Sequence, residues 1–168
     1  MKQTLSLVFI LILGMVTATA QQKTIEFENL FDNTFSQRGI SNVRWMNDGK
    51  YYTESRGMKI IRNNITREDE QSVLFDGANF SDTAHQDGIY VQGYQFSADE
   101  NKIMIQTDVE RIWRRSTRAN YYVYDRQAES LTKLTETEGK QQYAELSPEG
   151  DKAAFVRDNN LFWVDLAS

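Results

Sequence analysis

Trp45-Met46-Asn47-Asp48-Gly49-Lys50, Phe96-Ser97-Ala98-Asp99-Glu100-Asn101-Lys102 and Leu146-Ser147-Pro148-Glu149-Gly150-Asp151-Lys152 are three versions of one phrase. Trp45 and Phe96 lie 51 residues apart, Phe96 and Leu146 50. Each version has the same parts: a large apolar residue, a polar turn carrying an acid, a Lys, then a β-rich run. A fixed period of about 20–50 residues marks a repeat architecture. Short strands in units of this length predict one four-stranded propeller blade per repeat.

Working outward, each unit divides into strands. In the first, Trp45 runs into Asp48-Gly49, a hairpin turn signal because glycine accepts positive φ. Tyr51-Tyr52-Thr53 returns, Met58 to Ile61 follows, and Asn63-Asn64 closes it. Val73-Leu74-Phe75 then meets a further turn at Asp76-Gly77. In the second, Ile89-Tyr90-Val91 leads in. Strands are expected at Lys102–Thr107, Tyr121–Asp125 and Leu131–Thr135. Asp108 to Asn120 reads as a loop longer than a tight hairpin needs. The third has Tyr143–Leu146, Ala153–Arg157 and Leu161–Leu166, with a turn at Asp158-Asn159-Asn160.

The expected fold is therefore all-β: an incomplete propeller of about three four-stranded blades over residues 43–168. Propellers typically close with four to eight blades, and an open edge invites aggregation. The sequence thus reads as the front of a longer protein.

Residues 21–42 form an N-terminal arm. Phe27, Leu30, Phe31 and Phe35 fall at helical spacing, so a short amphipathic turn is one reading. An extended strand capping the first blade is the other. Residues 1–20 read as a secretory signal peptide: Lys2, an apolar run from Leu5 to Val16, and Ala18-Thr19-Ala20 before Gln21. The run is short for a span, which needs about 20 apolar residues. Cleavage before Gln21 leaves no stable membrane span and an exported, periplasmic or extracellular protein.

The 168 residues carry a formal charge of −5, and −6 without the first 20. Nucleic-acid binders carry a basic stripe, so nucleic acid is excluded as a partner. The chain has no cysteine, so its core rather than disulfides must hold it. Without cysteine or a histidine cluster, no metal site and no cofactor is expected. The turn acids Asp48, Asp99 and Glu149 belong to separate blades and read as turn closers.

Three features merit a chemical reading. His85, the only histidine, sits in a polar loop with no Gly-x-Ser-x-Gly elbow anywhere in the chain. It reads as a solvated loop residue rather than a catalytic one. Glu68-Asp69-Glu70 reads as a solvated connector. The run Arg111 to Arg118 is different. Long loops on a rigid β scaffold carry binding groups, and arginine presents a planar fork of donors to carbonyl or carboxylate oxygens. Spacing alone leaves two readings open, a binding loop and a solvent-facing basic hairpin.

Three segments carry a family resemblance. They are Ile40-Ser41-Asn42-Val43-Arg44-Trp45 with Asp48-Gly49; Ile112-Trp113-Arg114-Arg115-Ser116 with Ala119-Asn120-Tyr121-Tyr122-Val123-Tyr124-Asp125; and Gln142 to Lys152 with Phe155 to Leu161. Together they resemble the N-terminal propeller of the dipeptidyl peptidase IV family, in the prolyl oligopeptidase clan. The Trp-Arg pair ahead of the Tyr-x-x-Tyr-Asp strand is the specific part.

The resemblance implies an eight-bladed propeller over a C-terminal α/β-hydrolase domain. It implies a serine peptidase that releases N-terminal Xaa-Pro and Xaa-Ala dipeptides and is a homodimer at full length. It places the arginine that binds a substrate carbonyl at Arg114, or at Arg115 if the loop is shifted by one. The family's amine-gripping glutamates and its catalytic Ser, Asp and His are not in these residues, so no catalytic residue is assigned. The alternatives are a non-enzymatic propeller binding module and a prolyl tripeptidyl peptidase relative.

Overall fold

A computed structural model describes residues 25–32, 34–35, 39, 42–67 and 69–166. The expected signal peptide lies outside the described residues. The chain divides into two units, Met1–Gly39 and Ile40–Ser168. In the first, Phe27–Leu30 forms one 3-10 turn. The backbone N–H of Glu26 donates to Asn29 Oδ1 at 3.0 Å, which closes its start. A short turn is thus present, but it buries no apolar face among the described residues: Phe27, Leu30, Phe31 and Phe35 are all exposed.

The second unit contains three antiparallel sheets. The first has strands Arg44–Trp45 (β1), Tyr51–Arg56 (β2), Lys59–Asn64 (β3) and Gln71–Asp76 (β4), in that spatial order. The next has Gly93–Phe96 (β5), Lys102–Arg111 (β6), Thr117–Asp125 (β7) and Ser130–Lys133 (β8), again in order. The last has Gln142–Leu146 (β9), Lys152–Arg157 (β10) and Asn160–Asp165 (β11). Each sheet is an up-and-down meander, as a propeller blade requires. The third blade shows three strands among the described residues.

The repeated phrase makes the same turn three times. Met46, Ser97 and Ser147 each donate their N–H to a carbonyl five residues on, at 3.0, 2.9 and 2.8 Å. Each also accepts from the N–H three residues on, at 3.1, 2.9 and 2.9 Å. That donor residue is left-handed every time: Gly49 at φ 65°, Glu100 at 59° and Gly150 at 73°.

Two details differ from the expectation. Tyr51, not Lys50, occupies the place of Lys102 and Lys152, so the lysine is not a shared turn element. Asp48 and Asp99 accept backbone N–H groups within their turns. In the third turn the closing carboxylate is Asp151, which accepts from Ser147 Oγ at 2.8 Å, rather than Glu149.

Two apolar clusters join the sheets. Alternate residues of a strand face opposite sides, and the central blade uses both. Ile103 and Ile105 of β6, with Tyr122 and Tyr124 of β7, pack on Ile60 and Phe75 of the first blade. Met104 and Val123, one position off, pack on Ala144, Ala153 and Phe155 of the third. Burying a side chain of this size contributes about 1.5–3 kcal/mol, so these two seams, rather than the loops, set the blades side by side. Thr53 Oγ1 and the Tyr94 hydroxyl meet at 2.7 Å inside the first seam, which satisfies both polar atoms.

An arginine-tipped hairpin on a polar brace

The stretch expected as a long loop is mostly strand. Strands β6 and β7 continue past the blade, so that only Ile112 to Ser116 is loop. The loop expectation failed because Asp108, Glu110, Arg111 and Arg118 look unlike strand residues. On a ribbon reaching beyond the sheet, however, both faces meet water and polar residues are tolerated.

The ribbon changes register where it leaves the blade. Thr107 pairs with Asn120 and Glu110 pairs with Arg118. Asp108 and Val109 therefore oppose the single residue Ala119, which is a β-bulge. A bulge bends its strand and increases the local twist. Asp108 takes a left-handed φ of 51°. Ala119 turns its backbone to the next blade, exchanging two hydrogen bonds with Gln141 at 2.9 and 2.8 Å.

Polar contacts fix the bend. Asp108 Oδ2 accepts from Asn120 Nδ2 at 2.8 Å and meets His85 Nε2 at 2.7 Å. The Asp108 carbonyl accepts from Lys140 Nζ at 2.7 Å, and the Val109 N–H donates to Gln92 Oε1 at 2.8 Å. Above the bulge, Arg118 grips Glu110 with two bonds of 2.8 and 3.0 Å. That bidentate contact lowers the Glu110 carboxyl from its ordinary value.

The tip is closed by the Ile112 and Trp113 N–H groups, which both donate to the Ser116 carbonyl at 3.0 and 3.2 Å. Trp113 is 77% exposed, and Arg114 and Arg115 are exposed beside it. Among the described residues, neither arginine has a carboxylate at ion-pair distance. Their guanidinium donors are unspent, unlike those of Arg118.

His85 corrects the sequence reading of a solvated loop residue. Its side chain is only 11% exposed. Asp82 opens a tight turn by accepting the N–H groups of Ala84 and His85 at 2.9 and 2.8 Å. This folds His85 back, and its Nδ1 lies 3.0 Å from Asp82 Oδ1. The Tyr122 hydroxyl donates to Asp82 Oδ2 at 2.6 Å, and Lys133 pairs with the same oxygen at 3.2 Å.

Burial acts to raise the Asp82 carboxyl, but the bonds from Tyr122, His85 and the turn amides outweigh it. They hold it well below the usual carboxylate range. Burial and the Asp82 carboxylate push the Tyr122 phenol well above its ordinary value. The two carboxylates grip opposite nitrogens of the imidazole, so the three groups do not converge as metal ligands do.

The acidic run acts as connector. Glu68 lies outside the described residues and Asp69 is exposed. Glu70 accepts from Asn64 Nδ2 at 3.0 Å and from the Tyr51 hydroxyl, which ties the turn to the first blade. The His85 network was missed in the sequence. Asp-x-x-His spacing signals the local turn, but nothing in the order of residues brings Asp108 to it.

Residues 97–168 match the family described as the dipeptidyl peptidase IV (DPP IV) N-terminal region. The chain is related to the N-terminal region of dipeptidyl peptidase IV. The crystal structure of Porphyromonas gingivalis dipeptidyl peptidase 4 superposes with a TM-score of 0.71 and 32% identity, over 86% of this chain and 21% of that one.

A probable dipeptidyl peptidase 4 of Emericella nidulans is 32% identical over 153 residues, 87% of this chain and 18% of its own length. Prolyl endopeptidase FAP of Mus musculus is 26% identical over 84% of this chain and 18% of its own. The chain thus spans less than a fifth of the length of these curated relatives. The dipeptidyl peptidase IV relationship and the three sheets agree on an all-β propeller fold. Among the described residues no helix is long and apolar enough to cross a membrane.

Proposed function

We propose that this chain is the N-terminal propeller portion of an exported, serine-type dipeptidyl peptidase. In that enzyme Arg114 binds a backbone carbonyl of the peptide whose N-terminal dipeptide is released. One observation carries the reading: an exposed guanidinium with no ion-pair partner among the described residues stands at the tip of a hairpin whose root is fixed by side chains from several elements. An arginine without an internal partner keeps its donors for a ligand, and a fixed root delivers them at a defined place. Names of the relatives supply the substrate class. Arg115 is the fallback, since it is also exposed and unpaired.

In this reading the chain contributes substrate positioning and gating, and no acyl transfer. Its only histidine is held between Asp82 and Asp108, not beside a serine nucleophile. Lys2, the apolar run from Leu5 to Val16 and Ala18-Thr19-Ala20 support export.

The test is Arg114→Ala in the enzyme that carries this chain. A hydrogen bond from a charged group contributes about 1.5–3 kcal/mol, so kcat/KM on a Gly-Pro chromogenic substrate should fall by roughly 10–150-fold. An unchanged kcat/KM removes Arg114 from the site. The 168-residue chain by itself should release no chromophore.

A further inference from the structure

We infer that His85 is a positioning residue for the Arg114 hairpin, acting through the Asp108 carboxylate at the bulge where the ribbon bends off the second blade. Its effect on peptide handling rests on the role proposed for Arg114. The clamp itself stands on geometry alone.

The tip does not hold itself in place. Ile112 and Trp113 at the tip are exposed, at 47% and 77%. Apolar packing therefore does not fix the direction of the tip. Among the described residues Arg114 and Arg115 have no ion-pair partner, so none of these anchors the tip either. Direction must come from the root, where strand β6 takes one extra residue.

That residue is the telling one. Asp108 sits at φ 51°, in the left-handed region that glycine enters freely and other residues enter at a cost. If the bulge needed only backbone geometry, glycine would serve it better. Asp108 brings a carboxylate, and that carboxylate is held from two sides. Asn120 of β7 reaches it at 2.8 Å and His85 of the preceding loop at 2.7 Å. The first contact stays within the β6–β7 pair, at the Thr107–Asn120 step where the bulge begins. The second comes from outside the ribbon, and it fixes the bend relative to the blade.

His85 is built to resist movement. Its Nδ1 is 3.0 Å from Asp82, and its ring stands edge-on to Tyr122 with centroids 5.9 Å apart. Asp82 is in turn held by the Tyr122 hydroxyl, by Lys133 of β8 and by two backbone amides. A continuous polar brace thus runs from β8 through Asp82 and His85 to Asp108. Lys140 adds a parallel hold on the Asp108 carbonyl at 2.7 Å. Removing His85 should therefore loosen the hairpin without releasing it.

The experiment uses the enzyme carrying this chain, with His85→Ala, His85→Gln and Asp108→Asn. Peptide-resolved hydrogen exchange is read over residues 109–118, with β10 as the internal standard. Local opening governs such exchange, and about tenfold faster exchange over 109–118 is expected in His85→Ala, with β10 unchanged. His85→Gln should recover part of the protection, because its amide N–H can still reach Asp108. Asp108→Asn weakens the same contact from the other side and should loosen the same segment. Unchanged protection over 109–118, or a loss shared equally with β10, overturns the inference. Should His85→Ala fail to fold, the other two variants decide by the same criteria.

Kinetics separate the clamp from the role of Arg114. His85→Ala should lower kcat/KM in the parent enzyme and cost nothing further in an Arg114→Ala background, since residues acting as one unit are non-additive. Additive losses overturn action through Arg114. If Arg114→Ala is silent while the exchange still responds, the peptide-binding reading fails and the clamp survives.

Discussion

The backbone N–H of Asn47 donates to the Glu100 carboxylate at 2.6 Å, which latches the turn of the first blade to the turn of the second. Asn47 Nδ2 adds a bond to the Ala98 carbonyl at 2.7 Å. Equivalent positions of two repeats thus touch each other directly. The repeat does more than reproduce a blade; it also supplies a contact between blades.

Asn47→Ala should cost about 0.5–1.5 kcal/mol, the usual net value of one neutral hydrogen bond. Glu100→Gln, which retains an acceptor for the Asn47 N–H, should cost less. Urea unfolding of both variants checks this order. No loss in either variant would show that the turn contact contributes nothing.

Gly77 and Gly49 should respond very differently to alanine. A Cβ on Gly77 would lie inside the contact surface of the Ile89 carbonyl oxygen, which is backbone and cannot step aside. Gly77→Ala should cost about 3 kcal/mol or more, at the upper end of overpacking effects. A Cβ on Gly49 meets open space, and only its φ of 65° is unfavourable. Gly49→Ala should cost about 1–2 kcal/mol. Thermal or urea midpoints decide, and a Gly49 loss equal to that of Gly77 would refute the distinction.

Asp82 should make stability acid-sensitive. Its carboxyl is lowered from an ordinary value of 3.8 in the folded chain. The folded state therefore favours the ionised form, and its stabilisation is fully present above that ordinary value. It is lost as pH falls through the lower, folded value. Asp82→Asn should be less stable than the parent at pH 7, by about 1.5–3 kcal/mol for bonds to a charged group. The gap should narrow steadily below about pH 4, where the unfolded carboxyl takes up its proton. Unfolding curves of the two proteins at several pH values test this. A gap independent of pH would mean that Asp82 acts through shape rather than charge.

The blades were legible in the sequence because their signals are local. A turn phrase every 50 or 51 residues, and β-rich apolar runs such as Ile103-Met104-Ile105, give strands and repeat without any long-range information. The turn between Arg157 and Asn160 was equally open to reading, and Asp158 and Asn159 both take left-handed φ values there. The hairpin was not, because its residues are polar on both faces and periodicity vanishes where no core is near. His85 was misjudged for a related reason. Its partners Asp108 and Tyr122 are 23 and 37 residues away, and only the folded blade brings them together. Arg114 was singled out by resemblance, and the fold adds that it has no ion-pair partner among the described residues and stands at a braced tip.

The alternation along β6 has a consequence for mutational experiments. Ile103 and Ile105 serve the seam with the first blade, while Met104 between them serves the seam with the third. Energetic coupling follows shared partners rather than chain distance. Substitutions at Ile103 and Ile105 should interfere with one another, whereas Ile103 and its immediate neighbour Met104 should behave as independent sites. A scan along this strand would sort its positions into two interleaved sets, each reporting on a different seam between sheets.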